Sequence, residues 1–455
     1  MSYTAVNPYT GQKIRSFENV TDQQLEMLLD QAQDFYEKAQ RRSVEERTEF
    51  LNELADEFEN NTEKYARILS TNMGKLISEA RQEVAKTVSF ARYYAKNGVR
   101  LLKPQPYNDL SSGQAQVEFS GIGIVLAVEP WNFPYAQVMR VFAPNFVLGD
   151  PVILKHASIV PEAALAFQEA CDNAGLPLGA FTNIFASYDQ IDHIIEDPRV
   201  QGVALTGSEG AGRKIAASAG KNLTKSTLEL GGTDVFVVLD DVDVGAAAKD
   251  AAKARLTNAG QVCTAAKRYI VSAEIYPDFL AALKDEFVKY HLGDPLDEKT
   301  TLAPLSSKSA QKQLQEQVEK VIAGGAKVLF GDPTPNKGKG AGFSPLILSG
   351  MDESNPMYEE ELFGPVAQIY QAHSDDEVVK IANNSRHGLG GAIYTKDVER
   401  GKKIASRIET GQVTINQILS SQSEVPFGGV KDSGYGRELS DWGIYEFANI
   451  KSVIY

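Results

Sequence analysis

Through the first hundred residues the apolar side chains fall at helical spacing. Ser43-Val44-Glu45-Glu46 reads as a capping box ahead of Phe50, Leu51, Leu54 and Phe58, a stripe that one helix face would bury. A polar stretch containing Pro and Gly, Lys103 to Gln114, ends that texture, and Gln116-Val117-Glu118-Phe119 then alternates as a half-exposed strand does. From Gly121 the apolar positions gather into short runs: GIGIVLAV (121–128), PVILK (151–155), FTNIF (181–185), VQGVAL (200–205) and TLEL (227–230). Helical stretches such as PEAALAFQEACDNAG and SEGAGRKIAASAG separate them. Buried strands alternating with helices predict βαβ crossovers and a parallel sheet. A second set follows (DVFVVL, KRYIVS, AKVLF, PVAQIY, GAIYT, GQVTIN), so the pattern predicts two α/β units joined near Gly231-Gly232. The last run, ANIKSVIY, reads as a late strand that pairs with the 107–119 region or with another copy of the chain.

Composition narrows the function classes. At 455 residues the chain is about three times a typical domain. Hydrophobic residues at 43% and charged residues at 23% are ordinary for a globular protein. The formal charge is −14, and no dense Lys/Arg run is present, which argues against a nucleic-acid partner. The N-terminus lacks a charged-then-apolar leader and no apolar run approaches a bilayer span, so no membrane partner and a cytoplasmic home are expected. With only Cys171 and Cys263 there is no disulfide framework, and the five His residues show no metal-ligand spacing. No metal is expected.

Three short segments carry the chemistry. Cys263, in the Gly-containing loop before and within GQVCTAAKR, departs from the buried thiol that Cys171 represents at helical spacing from Phe167 and Ala174. A thiolate near oxyanion-stabilising donors is a nucleophile. Glu229, in the apolar strand TLELGG, is costly to bury unless it is paired or employed, and a carboxylate can activate water. Asn132, in PWNFP, follows directly on a strand, where open α/β sheets bind ligands, and its amide could join the Cys263 backbone N–H around an oxyanion. Each segment has a plain alternative: a turn for PWNFP, a backbone-bonded carboxylate for Glu229, a tight strand-to-helix connection for TGSEGAG (206–212). Together they suggest oxidation of an aldehyde through a covalent thioester.

In the order PWNFP, strand–Lys155, TGSEGAG, LELGG, GQVC, EELFGP (360–365) and PFGGVKDSGYGRE (426–438), the chain resembles the aldehyde dehydrogenase superfamily over essentially its whole length. The resemblance implies an α/β protein with a Rossmann-like cofactor domain (1–104 and 122–230) and a catalytic domain (231–425). It also implies a small β oligomerisation arm (105–121 and 445–455), hence a homodimer or homotetramer. It further implies that Cys263 attacks the aldehyde, that Asn132 holds the oxyanion, and that Glu229 activates the hydrolytic water. Glu361 and Phe363 would meet the nicotinamide ribose and ring, and Trp131, Gly207 and Ser208 would lie along the pyrophosphate path. LKHA (154–157), WNFPYAQVMR (131–140) and GQVCTAAKR (260–268) make the chain most similar to bacterial succinate semialdehyde dehydrogenases within that superfamily.

Substrate and cofactor preference rest on fewer residues. If a helix starts near Pro134, then Phe133, Ala136 and Arg140 share a face, and Arg140 could hold the far carboxylate of a short aldehyde. Tyr135, Ser421 and Ser423 would add hydrogen bonds. The alternatives are a structural ion pair for Arg140 and a different short substrate, glutarate semialdehyde or an aliphatic aldehyde. Lys155 matches the ribose-binding Lys of the resembled family, while Ser158 stands where NAD-preferring relatives often carry Glu. Ser158 removes repulsion of a 2′-phosphate, so NADP is the expected cofactor, with NAD weaker. Tyr188 is expected to add its hydroxyl there. His156 replaces the Pro common after that Lys, and Thr264 and Ala265 leave Cys263 without a neighbouring thiol.

Overall fold

The computed structural model describes residues 3–110, 113–334, 338 and 340–455. Met1, Ser2, Ser111, Ser112, 335–337 and 339, which fall in the three expected units, lie outside the described residues. Two large sheets organise the chain. The first orders its strands Gly434–Tyr435, Lys225–Glu229, Val200–Thr206, Ile124–Glu129, Val152–His156, Phe181–Asn183. All pairs are parallel except the outermost, where Gly434 faces Glu229 antiparallel. The chain fills one side of Ile124–Glu129 and then returns to the other, so the order reverses between Ile124–Glu129 and Val200–Thr206. Ligands bind outside strand carboxyl ends at such a reversal. Those two ends lead into PWNFP and into Gly207-Ser208.

The second sheet has seven strands, ordered Lys327–Phe330, Leu346–Ser349, Val366–Ala372, Arg268–Ser272, Val235–Val238, Gly390–Tyr394, Gln412–Ile415. Only the first pair is antiparallel. The central strands of both sheets are buried on each face, which is why they read as apolar runs without alternation. A separate three-stranded antiparallel sheet joins Asn449–Ile454, Gly113–Ser120 and Gln105–Leu110, with Ile450 opposite Phe119. Pairing of the terminal strand with the 107–119 region is therefore made within the chain.

Local signals explain the helices that shape the site. Ser43 caps the helix Val44–Asn60 by the reciprocal bonds of a capping box with Glu46. The helix Pro134–Leu148 opens with Pro at its first position and closes on Gly149 at φ 94°. It lies in the core against the long helix Ile77–Leu101. The apolar pattern does not predict Tyr3–Val6 and Lys13–Phe17, which pair as a hairpin, or Leu346–Ser349. Lys13–Phe17 is exposed, so no buried face imposes a period on it, and Tyr3–Val6 buries only Tyr3 and Ala5, too few to mark a strand. Among the described residues no helix is long and apolar enough to cross a membrane.

Candidate active site

Cys263 is presented by a strained turn. Asn258, Ala259 and Gly260 lie in succession in the left-handed region, at φ 51°, 52° and 75°. The two non-Gly residues cost on the order of 1–2 kcal/mol each and persist only where surroundings hold them. Here Glu79 Oε1 accepts the Asn258 N–H at 2.9 Å, and Asn258 Nδ2 donates to the Asn132 and Gln261 carbonyls. A side chain at Gly260 would overlap the Gly364 carbonyl, so glycine is required there. The turn thereby ties the loop before Cys263 to PWNFP.

Cys263 lines two cavities at once. One, of about 340 Å³, is walled by Phe133, Ala136, Gln137 and Arg140 from one face of the helix Pro134–Leu148, with Lys86, Ser420, Ser421 and Phe427 opposite. The other, of about 490 Å³, is walled by Trp131, Asn132, Gly207, Ser208, Glu361 and Phe363. Burial pushes the Cys263 thiol up to about 12, while the Lys267 and Arg140 charges pull the other way. Asn132 Nδ2 donates to the Gln261 carbonyl at 3.0 Å, which spends one of its two N–H groups and leaves the second for an oxyanion.

The substrate candidates divide. Phe133, Ala136 and Arg140, which share a helix face, all line the cavity. Tyr135 does not: its ring is fully buried against Phe58 and Tyr65 and its hydroxyl donates to the Tyr65 carbonyl. At 100° per residue it lies 100° or more round the helix from each of Phe133, Ala136 and Arg140, and it points into the core. Ser421 lines the cavity, whereas Ser423 is buried and bonds Ser89 Oγ at 3.4 Å instead. Arg140 is not a free clamp. It is ion-paired with Glu438 and its guanidinium lies 4.6 Å from the centre of the Phe427 ring. Glu438 belongs to a segment quoted for its glycines, and no local period announces its partner.

Glu229 is the largest departure. Its carboxyl lines neither cavity, although the next residues, Leu230 and Gly231, do. It is directed toward Gly428, whose missing side chain leaves it room. Glu129, Arg140, Glu229 and Glu438 are 2, 6, 4 and 8% exposed, so three buried carboxyls lie around Arg140, with Arg437 also acting on Glu229. Burial, then the Glu438 charge, hold Glu229 well above the usual carboxylate range, opposed by Arg140. Its carboxyl must turn toward Cys263 to reach a water there.

On the cofactor side, the rings of Trp131 and Phe363 meet edge to face at 5.7 Å. Glu361 lines the same cavity, with Lys267 Nζ at 2.9 Å from one of its oxygens. Gly207, Ser208, Glu209 and Gly210 open the helix Glu209–Asn222, and nothing lies within 4 Å of a side chain added at Gly210. Lys155 stands apart from this cavity, its ammonium 5.5 Å from the Tyr188 ring and 6.0 Å from the Tyr3 ring. Burial lowers it to about 8, and it has no carboxylate partner among the described residues. Ser158, three residues on, ties down the N-terminal hairpin through its carbonyl, which accepts the Thr4 N–H. His156 fills the place of the expected Pro by bonding on both sides. Its Nε2 meets the Pro134 carbonyl at 3.0 Å, and its Nδ1 accepts the Ala157 N–H at 2.9 Å. Among the described residues no group of three His, Cys, Asp or Glu side chains is placed to hold a metal ion.

A thiol between two cavities, with an amide in the wall of one of them, on a double α/β frame, is the arrangement of a cysteine-dependent dehydrogenase. The aldehyde dehydrogenase family model matches residues 1–453, and the chain belongs to that family. It is 42% identical over 451 residues to a succinate-semialdehyde dehydrogenase [NADP(+)] of Deinococcus radiodurans, covering 99% of this chain and 94% of that one. A succinate-semialdehyde dehydrogenase [NADP(+)] 1 of Mycobacterium ulcerans is 37% identical, covering 100% and 99%. Among solved structures, succinic semialdehyde dehydrogenase from Streptococcus pyogenes in complex with NADP+ superposes with a TM-score of 0.98. It is 44% identical and covers 100% of this chain and 99% of that one.

Proposed function

We propose that this chain oxidises succinate semialdehyde to succinate and reduces NADP. The observation that carries the reading is that Cys263 lines both cavities, one with Arg140 and Lys86 in its wall and one between aromatic rings and a glycine-rich helix start. Residues fit the dinucleotide: Lys155 is a buried, unpaired cation, and Ser158 adds no negative charge beside it. Trp131, Gly207, Ser208, Glu361 and Phe363 would hold the nicotinamide end, and Lys155, Ser158 and Tyr188 the adenosine end. The bound dinucleotide supplies a hydride acceptor.

Cys263 gives up its thiol proton to water, its Sγ adds to the aldehyde carbon, and the second Asn132 N–H with the Cys263 backbone N–H stabilises the oxygen. Loss of hydride from that carbon leaves a thioester on Cys263. Glu229, turned from its buried position, takes a proton from the water that attacks the thioester, which frees the carboxylate product and the thiol. We read 1–104 with 122–230 as the cofactor half and 231–425 as the catalytic half. The arm (105–121 and 445–455) carries exposed Tyr107, Leu110, Ile450 and Ile454, and fits assembly as a homodimer or homotetramer. Two free thiols suit a reducing cytoplasm.

The test is an aldehyde panel run with NADP and NAD. Expected are a higher kcat/KM for succinate semialdehyde than for butyraldehyde, a preference for NADP, and loss of turnover in Cys263→Ala. Equal kcat/KM for the two aldehydes would replace the reading with a dehydrogenase of uncharged aliphatic aldehydes.

A further inference from the structure

A buried ion pair stands behind the segment that carries Asn132. Lys75 lies just ahead of the helix Ile77–Leu101 and Glu83 in its second turn; their side chains are 1 and 0% exposed and pair with each other. Their remaining hydrogen bonds go to PWNFP and the helix it starts. Lys75 Nζ donates to the Asn132 carbonyl at 2.8 Å and packs 3.8 Å from the centre of the Phe133 ring. Glu83 Oε1 accepts the Tyr135 N–H at 2.9 Å and the Ala136 N–H at 3.4 Å. Phe133, which precedes the helix Pro134–Leu148, has no acceptor to cap it, so Glu83 supplies the cap and sets a negative charge at the positive helix end. Glu79, one turn before Glu83, accepts the Asn258 N–H, and Asn258 Nδ2 is the second donor on the Asn132 carbonyl, at 3.2 Å. One helix thereby grips both PWNFP and the strained turn ahead of Cys263. Stability alone does not call for such a pair, because apolar side chains of equal volume hold a core as well or better. What the pair adds is a fixed place for the backbone atoms it touches.

We propose that Lys75 and Glu83 are positioning residues for Asn132, and that their ion pair aims the Asn132 N–H not spent on Gln261 at the oxygen of an aldehyde attacked by Cys263. This assignment rests on the reading of Asn132 as an oxyanion donor. The Asn132 carbonyl and the Tyr135 N–H lie on either side of Phe133 and Pro134, so anchors at both leave the intervening backbone little room to turn. The bond from Asn132 Nδ2 to the Gln261 carbonyl at 3.0 Å then fixes the amide plane. The pair therefore acts on the step in which charge develops on the aldehyde oxygen, and leaves cofactor binding, aldehyde binding and thioester decay alone.

The experiment measures Tm, KM for succinate semialdehyde and butyraldehyde, and the single-turnover rate of NADPH formation. The proteins are wild type, Lys75→Met with Glu83→Gln, Asn132→Ala, and the three substitutions together. Removing both charges at once leaves no unpaired buried ion, and Gln keeps an acceptor for the Tyr135 N–H. Expected in the double variant are a Tm and KM values close to wild type and a single-turnover rate lower by about 10- to 100-fold, the range for a reacting group misplaced by about 1 Å. The triple variant is expected to be no slower than Asn132→Ala, because the pair acts only through Asn132. An unchanged rate in the double variant, a further loss in the triple variant, or a KM that rises for one aldehyde only overturns the assignment, while a slow Asn132→Ala keeps the oxyanion reading intact. Asn132→Ala as fast as wild type overturns both. Should the neutral pair not fold, Lys75→Arg keeps the buried charge but replaces a compact ammonium with a planar fork. Its rate is then expected to fall, again with no further loss on Asn132→Ala, and a wild-type rate overturns the assignment.

Discussion

Replacing Glu438 with Gln tests whether charge, in addition to burial, raises the Glu229 carboxyl. The three carboxyls Glu129, Glu229 and Glu438 lie around Arg140 with almost no access to water. Burial is the main force raising the Glu229 carboxyl, the Glu438 charge is next, and Arg140 and then Arg437 oppose both. Gln retains an oxygen for Arg140 and the shape of the side chain but removes the negative charge, so Arg140 acts on Glu229 undiluted. A unit charge at about 5 Å and an effective dielectric near 20 is worth about 3 kcal/mol, or about two pH units. Arg140 already neutralises part of that field, so about one unit is expected. Rapid mixing with NADP and succinate semialdehyde separates the burst of NADPH from decay of the thioester. The pH midpoint of thioester decay should fall by about one unit in Glu438→Gln and rise in Arg140→Met, with the pH-dependent limb absent in Glu229→Gln. An unmoved midpoint, or an alkaline shift in Glu438→Gln, refutes the electrostatic account.

Three further outcomes follow from the geometry. Asn132→Ala removes one oxyanion donor and should lower kcat by about 100- to 1000-fold, read in the NADPH burst rate rather than in thioester decay. Ser158→Glu should raise KM for NADP by about 10- to 100-fold and leave NAD nearly unaffected, because like charges about 4 Å apart cost up to about 4 kcal/mol before solvent screening; unchanged discrimination counts against a 2′-phosphate at this position. Asp150 is fully buried, accepts the Ile122 and Gly123 N–H groups through Oδ1, and is raised by burial to about 8. A raised group contributes stability that is complete below the unfolded value near 4 and is lost as pH climbs to about 8, at no more than about 1.4 kcal/mol per unit. The Tm of Asp150→Asn should therefore gain on wild type between pH 5 and 8, and a pH-independent difference rejects the assignment.

What was legible in the chain and what was not separate along a physical line. Sheets buried on both faces leave apolar runs, so Ile124–Glu129, Val152–His156 and Val235–Val238 could be read directly. Helical spacing from Pro134 gave the cavity stripe of Phe133, Ala136 and Arg140, and the same geometry, pressed one step further, should have excluded Tyr135. The charge pairing of the site obeys no period. Arg140 seen alone looks free to bind a carboxylate, but its partner Glu438 arrives after the chain has completed the second sheet and returned to the edge of the first, where a side chain at Gly434 would overlap the Leu228 carbonyl. Lys86 likewise sits in a helix whose apolar stripe says only that it packs, while Ser420 and Ser421 come from a loop 334 and 335 residues later. Motifs mark residues that the backbone must present in a fixed way. Which charges meet across a cavity is set by the tertiary fold, and in this one Glu438 reaches Arg140 from a segment nearly 300 residues further along the chain.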